Sequence, residues 1–157
     1  MVISVVAVGK LKHAGLRDLC DEYTKRIRGR LQLKIIEVRG AGRREEHAAS
    51  AMRHEADAIR RVIPKNARVV CLTRGGPSGT SAELSERLAA WKTDGRDIAC
   101  VIGGAFGLEP SLIDEADATL SLSQMTLPHE LARAVLLEQL YRADTILHGE
   151  PYHKGGA

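Results

Sequence analysis

The chain has 157 residues, of which 44% are hydrophobic and 27% charged, a balance that is typical of a globular protein and excludes a disordered one. No apolar run approaches the roughly 18 residues of a membrane helix, so the sequence predicts no membrane span. The net charge of +3 divides unevenly: residues 1–68 hold 16 Lys and Arg against 8 Asp and Glu, whereas residues 69–157 hold 7 against 12. The basic first part favours a polyanionic partner such as a nucleic acid, although solvated helix faces would give the same balance.

The cysteines and the first ten residues predict the compartment. Cys20, Cys71 and Cys100 are odd in number and far apart, without a CxxC pair. We therefore expect buried thiols in a reducing compartment, and neither a disulfide framework nor a zinc site. The opening MVISVVAVGK has no basic leader and no small-residue cleavage site, so we expect no secretion signal and a cytoplasmic protein.

Short β-branched runs alternate with helical patterns along the whole chain. In chain order we predict a strand at 2–8, a helix at 16–28, a strand at 33–38, a helix at 44–63, a strand at 67–73, a helix at 80–93, a strand at 97–102, a short helix from Pro110, a strand at 118–122 and a last helix at 128–149. Thr80 and Glu83 have the spacing of a capping box. The alternation predicts a single α/β domain over 1–157, with a mainly parallel sheet covered by helices on both faces.

Small, flexible residues follow three strands in the second part of the chain. The segments are RGGPSG at 74–79, GGAFG at 103–107 and SLSQMT at 121–126. Because ligands of open parallel sheets bind outside the carboxyl ends of the strands, these loops predict a ligand site at that edge. Glycine lets the backbone approach a ligand, and the exposed amides and carbonyls can bind an adenine edge or a carboxylate.

The loop sequences disfavour two common nucleotide sites. GGAFG is not GxGxxG and follows the fourth strand, which counts against a nicotinamide cofactor, and no GxxxxGK[ST] occurs. Arg74 is the only fixed positive charge in the loops, which is little for binding several phosphates. A nucleoside without phosphate fits better, and S-adenosylmethionine is such a nucleoside. Its sulfonium is cationic and would be repelled by a lysine-rich pocket, so loops with few positive charges suit it.

The last predicted helix has an apolar arc that is wider than one sheet face requires. We expect this helix to contact its own sheet and also, most simply, its twin across a two-fold axis. Gln139 and Arg142 lie inside the arc, where they need polar partners at an interface or in a site. For Arg142, a plain ion pair with Glu138 one turn earlier is the alternative.

Four stretches of the chain resemble a known family. They are VVAVGKLK, VVCLTRGG, VIGGAFGL and LSLSQMTLPHELARAVLLEQLYRADTILHGEPYHK. On these stretches the chain resembles the RlmH-type enzymes, the ribosomal RNA large-subunit pseudouridine N3-methyltransferases of the SPOUT superfamily. The resemblance spans essentially the whole length and is weakest over the basic segment 43–68.

The resemblance implies more than the patterns do. It implies an α/β trefoil knot in the C-terminal part, a homodimer without a metal, S-adenosylmethionine as methyl donor, and N3 of a pseudouridine in the 23S rRNA of assembled ribosomes as acceptor. It assigns no role to Thr73 or Arg74. The cofactor contacts that it implies are Leu72, Gly103, Leu122, Ser123, Gln124, Met125, Thr126 and Leu127.

Methylation of a uracil N3 requires a base that removes the ring proton. His129 and His153 are the candidates, because imidazole titrates near the working pH. We prefer His153, since it lies in a polar tail that could close over a flipped base from the partner subunit. Arg133 or Arg142 would stabilise the ring oxygens as negative charge develops.

Two other functions stay open at this point. A non-catalytic ribosome- or RNA-binding module would show the basic first part without needing three glycine-rich loops. A small oxidoreductase that binds flavin or nicotinamide would use the same sheet edge, although the loop spacing counts against it. Titration with S-adenosylmethionine, NADH and FMN separates the three functions.

Overall fold

Five parallel strands form the centre of the molecule. The computed structural model describes residues 1–41, 44 and 47–153, apart from the side chain of His153. The strands are β1 (Val2–Val8), β2 (Gln32–Val38), β3 (Arg68–Leu72), β4 (Ile98–Ile102) and β5 (Ala118–Leu120), in the spatial order β2-β1-β4-β3-β5. Every neighbouring pair is parallel, which confirms the predicted sheet.

The middle strands are apolar along their length because both sheet faces are covered. All residues of β4 are buried, and so are those of β1 from Ile3 to Val8. On one face, Val5 of β1 and Cys100 of β4 join a core with the helices described below, and on the other face Val6 and Val101 join a second core.

Helices cover both faces, as predicted. They are α1 (Ala14–Arg28), α2 (Ala48–Val62), α3 (Ser81–Asp94), α4 (Pro110–Asp114) and α5 (His129–Leu147), followed by a short 3₁₀ helix at Pro151–His153. Residues of α1, α3 and α5 form the first core with the sheet, and residues of α2 and α4 form the second. The α/β class with a parallel sheet is therefore confirmed. The trefoil knot stays a prediction.

The ends of several elements differ from the prediction, among them those of α1, α2 and β5. Helix α1 begins at Ala14, two residues early, because the His13 ring accepts a hydrogen bond from the Leu16 amide. Helix α2 begins at Ala48, and the predicted start at 44 is wrong, since Arg44 itself is not helical. Residues 42–43 and 45–46 of that segment lie outside the described residues. Strand β5 ends at Leu120 because the Ser121 amide turns to bond the Pro77 carbonyl.

The capping box at the start of α3 is confirmed. The Thr80 hydroxyl accepts from the Glu83 amide at 3.2 Å, and the Glu83 carboxylate accepts from the Thr80 amide at 2.6 Å. The helix ends at Gly95, whose φ of 77° is a left-handed conformation that favours glycine. Both ends of α3 were therefore visible in the sequence.

Helix α5 is covered within its own chain. It packs between α1 and α3, and its fully buried residues include Leu136, Leu137 and Leu140. The width of its apolar arc therefore requires no twin, because the two neighbouring helices account for it. The homodimer stays a prediction that rests on the resemblance.

A buried carboxylate joins the end of α5 to two other elements. Asp144 is 1% exposed, and its side chain accepts from Arg30 at 2.5 Å and from Lys92 of α3 at 3.0 Å. Burial alone would raise the pKa of Asp144, but the hydrogen bonds from Arg30 and Lys92 outweigh it and lower that pKa. Asp144 is therefore ionised at neutral pH.

No helix in the described part of the chain is long and apolar enough to cross a membrane.

Candidate active site

A cleft of about 430 Å³ opens at the carboxyl ends of β3, β4 and β5. Its volume lies within the range of roughly 300–1,000 Å³ that is usual for small-molecule sites. All three loops that the sequence singled out contribute to its lining, through residues 72–74, 102–108, 121–123 and 125–127. We call it the cofactor cleft. The prediction of a ligand site at this edge is consistent with this geometry.

Seven of the eight predicted cofactor contacts line the cofactor cleft. These are Leu72, Gly103, Leu122, Ser123, Met125, Thr126 and Leu127. Gln124 is exposed and is not among the lining residues. The third loop is held in place at Ser121, whose hydroxyl donates to the Ser123 carbonyl at 2.9 Å.

Glycine is required at position 103 because another backbone segment passes against it. A Cβ there would lie 2.5 Å from the carbonyl carbon of Gly107 and 2.8 Å from the Leu108 amide nitrogen. Gly107 has a φ of 84°, which is also a left-handed conformation. The GGAFG loop therefore folds back on itself, and this leaves its backbone as a wall of the cofactor cleft.

Arg74 bridges two loops, although neither the loop pattern nor the resemblance assigned it a role. Its Nη1 donates to the Thr126 hydroxyl at 2.9 Å. Among the described residues that line the cofactor cleft, Arg74 is the only Lys, Arg, Asp or Glu. The rest of the lining is apolar side chains and small polar or backbone groups, so the cleft has few fixed charges.

His129 lies between the cofactor cleft and a second cleft. It lines both of them, together with Gly104 and Ala105. A Cβ on Gly9 would lie 3.7 Å from its Nε2, so the ring sits close to the end of β1. His129, one of the two histidines proposed as the base, therefore borders the cofactor cleft.

Arg133 is buried beneath the site instead of facing the cofactor cleft. It is 1% exposed, and it donates to Glu37 Oε1 at 2.6 Å and to the Gly9 carbonyl at 2.7 Å. In the described part of the chain its Nε has no hydrogen-bond partner. These contacts tie α5 to the ends of β1 and β2.

Arg142 lies far from His129 within one chain. Thirteen residues of α5 separate the two, which is about 20 Å along a helix. Its Nε donates to Glu138 Oε1 at 2.9 Å, so the ion pair considered from the sequence is present. The guanidinium also stacks 4.8 Å from the ring centroid of Tyr152.

The segment after α5 is anchored at Tyr152. The Tyr152 hydroxyl bonds Tyr23 at 3.0 Å and Glu138 at 3.2 Å, and its ring packs edge-on to Tyr141. Burial, with the hydrogen bond to Tyr23 next, raises the pKa of Tyr152, so its hydroxyl stays protonated. The backbone of His153 lies in the 3₁₀ helix, but its side chain lies outside the described residues.

The three thiols are buried, as expected. Burial raises the pKa of Cys71 to about 11 and that of Cys100 to about 12, and it also raises that of Cys20. A protonated thiol is a poor nucleophile and a poor metal ligand. Within the described residues, no group of three or more His, Cys, Asp and Glu is placed to hold a metal ion.

Comparison with known sequences points to one family. Residues 1–153 match the model of a family described as predicted SPOUT methyltransferase. A relative from Anaeromyxobacter sp. (strain Fw109-5), named ribosomal RNA large subunit methyltransferase H, is 44% identical over 154 residues, which is 98% of this chain and 100% of that protein. A relative of the same name from Burkholderia ambifaria (strain MC40-6) is 42% identical over 158 residues, with coverage of 98% and 99%.

Solved structures share the fold at lower sequence identity. A probable methylase family protein from Haemophilus influenzae Rd KW20 superposes with a TM-score of 0.55 at 17% identity, covering 99% of this chain and 71% of that one. A probable rRNA-methyltransferase from Porphyromonas gingivalis gives a TM-score of 0.52 at 17% identity, with coverage of 92% and 69%. At these identities the likeness shows the fold alone.

Proposed function

The chain belongs to the SPOUT methyltransferase family and is a methyltransferase, and we propose that it transfers the methyl group of S-adenosylmethionine to N3 of a pseudouridine in large-subunit rRNA. The observation that carries this proposal is the cofactor cleft, because seven of the eight residues expected to contact the cofactor line one cavity. The names of the relatives, ribosomal RNA large subunit methyltransferase H, support rRNA as the substrate class.

The residues of the cofactor cleft fit S-adenosylmethionine. Leu72, Leu122 and Leu127 offer apolar surface for an adenine ring, and the backbone wall at Gly103 admits a ligand closely. Arg74 is the only Lys or Arg among the described lining residues, so a cationic sulfonium meets little fixed positive charge. When bound, S-adenosylmethionine supplies an electrophilic methyl carbon on a sulfonium leaving group.

The chain's own residues orient the acceptor and take up its proton. A bond forms between N3 and the methyl carbon as the carbon–sulfur bond breaks, and the N3 proton passes to a base. Most of the acceleration comes from holding nitrogen, carbon and sulfur in line. His129 borders the cofactor cleft, and His153 remains the other candidate base. The buried thiols take no part, because attack by a ring nitrogen needs no covalent adduct with the enzyme.

A homodimer would bring the two ends of α5 into one site. Within one chain, His129 and Arg142 are about 20 Å apart along the helix, so both cannot touch the same base. We propose that Arg142 and His153 reach the cofactor cleft of the partner subunit. The half-buried, polar flank of α5 at Glu138 and Gln139 supports this arrangement.

We also propose that the enzyme acts in the cytoplasm on the assembled ribosome. A chain of 17.1 kDa offers little surface for sequence-specific recognition of RNA. The shape of the ribosome would then supply specificity, and the excess of Lys and Arg in residues 1–68 would contact phosphates.

The decisive experiment supplies the purified protein with methyl-labelled S-adenosylmethionine and ribosomes from cells that lack its gene. We expect the label on N3 of one pseudouridine of the large-subunit rRNA, identified by mass spectrometry of nucleosides. Cofactor binding without transfer to RNA would refute the substrate. Failure to bind S-adenosylmethionine, in a titration that includes NADH and FMN, would leave a non-catalytic RNA-binding module or an oxidoreductase.

A further inference from the structure

A second cleft, of about 570 Å³, opens at the carboxyl ends of β1 and β2 beside the cofactor cleft. Val8 and Val38 at the ends of the two strands and the side chain of Glu55 from α2 line it. Its volume is ample for one nucleobase and the adjoining sugar. We call it the acceptor cleft.

The acceptor cleft shares a wall with the cofactor cleft. Gly104, Ala105 and His129 line both cavities. In-line methyl transfer requires the attacking nitrogen to approach from the side opposite the leaving sulfur, so the two substrates need separate but adjoining sites. The two clefts meet this requirement within one chain.

The rim of the acceptor cleft is basic. Lys10, Lys12 and Arg39 line it, and all three are exposed, whereas the carboxylate of Glu37, which also lines the cleft, is paired with Arg133. In the described part of the chain, no carboxylate pairs with any of the three. Unpaired cations around a cleft attract the phosphates that flank a nucleotide and release their counterions.

The loop that carries Lys10 and Lys12 is held in place by hydrogen bonds to the side chain of Glu130. The Glu130 carboxylate, on the first turn of α5, accepts from the Lys12 amide at 2.8 Å and from the His13 amide at 3.1 Å. Hydrogen bonds from the amides of His13 and Lys12 hold the pKa of Glu130 below its usual value. The loop is therefore pre-organised beside His129, which favours phosphate binding because less chain entropy is lost.

Glu55 places a carboxylate in the wall of this cleft. It is 5% exposed, and its Oε1 accepts from the Ala41 amide at 3.0 Å. Its Oε2 lies so close to the shared wall that a Cβ on Gly104 would be 2.7 Å away. Burying a carboxylate costs free energy, which suggests that the acid is kept for a ligand.

A carboxylate at this position distinguishes pseudouridine from uridine. Both bases carry an N–H at N3, but only pseudouridine, which is linked to its sugar through C5, carries a second N–H at N1. With N3 facing the cofactor cleft, N1 is two ring atoms away and needs an acceptor. Charge-assisted hydrogen bonds to a carboxylate are among the stronger ones.

We propose that the acceptor cleft receives the flipped pseudouridine, that Glu55 accepts a hydrogen bond from its N1–H, and that Lys10 and Arg39 bind the flanking phosphates. This inference rests on the proposed function, and it names the residues that select the base.

The test compares two ribosome preparations that lack the methyl group and carry either pseudouridine or uridine at the target position. For the wild type we expect a higher kcat/KM with pseudouridine. Glu55→Gln keeps an acceptor for the Ala41 amide but loses the charge, so we expect the preference to fall about ten-fold or more. The matched control is Glu86→Gln on α3. Glu86 is exposed, so this variant should keep the full preference for pseudouridine. An unchanged preference in the Glu55 variant would overturn the inference.

The basic rim is tested by charge reversal. Lys10→Glu and Arg39→Glu should raise the KM for ribosomes and reduce the dependence of log affinity on log salt by roughly 0.7–0.9 per lost phosphate contact. Lys65→Glu is the control, because Lys65 is exposed just before β3, at the amino ends of the strands and away from the acceptor cleft. Equal effects of all three reversals would refute the assignment of the rim.

Failure of this inference and failure of the proposed function give different results. Methyl transfer by the wild type and its binding of the cofactor distinguish them. If the wild type methylates ribosomes and every variant matches it, the acceptor cleft is wrong and the proposed function stands. If the wild type binds S-adenosylmethionine but methylates neither preparation, the proposed function and the inference both fall. Calorimetric affinity for the cofactor should stay within two-fold in all variants, since none of the substituted residues lines the cofactor cleft.

Discussion

Arg133 donates a hydrogen bond to Glu37 across 2.6 Å, although the two residues are 96 positions apart in the chain. The same guanidinium donates to the carbonyl of Gly9, which directly follows β1. One buried side chain of α5 therefore fixes the ends of β1 and β2, between which the acceptor cleft opens. A direct role for Arg133 at the ring oxygens stays a prediction, and its contacts assign it a positioning role first.

Substitution of Arg133 should destabilise the fold. Arg133→Met keeps much of the volume but removes both hydrogen bonds, so we expect the free energy of unfolding to fall by about 2–3 kcal/mol. The partly exposed Glu37 regains water, which limits the loss. Urea denaturation measures the change. Arg142→Met, which removes an ion pair within one helix, should cost less than about 1 kcal/mol. Equal losses in the two variants would contradict the buried anchor.

The backbone contact at Gly103 predicts a sharp difference between two glycines of the site. Gly103→Ala would place a Cβ 2.5 Å from the Gly107 backbone, so the loop must shift. We expect a loss of about 1–3 kcal/mol in stability and at least a ten-fold loss of affinity for S-adenosylmethionine. Gly75→Ala meets no atom within 4 Å and should change neither quantity appreciably. Thermal unfolding and calorimetry check both, and wild-type affinity in Gly103→Ala would refute the geometry.

The ionisation of Asp144 makes the free energy of unfolding depend on pH. Its pKa is lower in the folded state than the usual value near 3.9, so its contribution is present above that value and is lost as the pH falls through the folded-state pKa. Asp144→Asn should cost about 2–3 kcal/mol at pH 7, somewhat less than for a fully buried pair because Arg30 and Lys92 stay partly exposed. Urea midpoints measured from pH 7 to pH 2 should converge for the two proteins below about pH 4. A constant difference would contradict this assignment.

The two candidate bases give different kinetic results. If His153 removes the N3 proton, His153→Ala should lower kcat about 100-fold or more at unchanged affinity for the cofactor. If His129 is the base, that loss should follow His129→Ala instead. The control is His54→Ala, on the exposed face of α2. Full turnover in His153→Ala would exclude His153.

Tyr152 anchors the segment that carries His153, so it should affect transfer without affecting cofactor binding. Tyr152→Ala removes the ring that packs on Tyr141 and stacks with Arg142. We expect a loss of methyl transfer of about ten-fold or more at constant cofactor affinity. Tyr152→Phe keeps the ring and loses only the bonds of the hydroxyl to Tyr23 and Glu138, so its effect should be smaller. Identical activity of both variants and the wild type would show that the anchor has no role in catalysis.

Local patterns predicted most of the fold. The five strands and the capping box of Thr80 and Glu83 follow from short-range chemistry, which is why they were correct. The start of α2 was wrong because its Ala-, Glu- and Arg-rich sequence continues a helical composition without a capping signal before Ala48. Helix composition alone does not mark an end.

The site was only partly predictable, because two of its groups depend on long-range contacts. The glycine-rich loops pointed to the cofactor cleft, since strand ends meet at one edge. Nothing near Glu55 in the sequence indicates that its carboxylate is buried against Gly104. Arg133, likewise, was expected to face the substrate, whereas its burial against Glu37 depends on a contact that spans most of the chain.

The position of β1 in the sheet has a consequence for biosynthesis. β1 lies between β2 and β4, and the Val2 amide bonds the side chain of Asp97, 95 residues further along. During translation, one side of this apolar strand stays unpaired until β4 has emerged from the exit tunnel. Proteins whose strands pair over such long distances in sequence fold slowly, and their folding intermediates are prone to aggregation. Both clefts are therefore completed late in synthesis, and we expect the unpaired side of β1 to be prone to aggregation until β4 pairs with it.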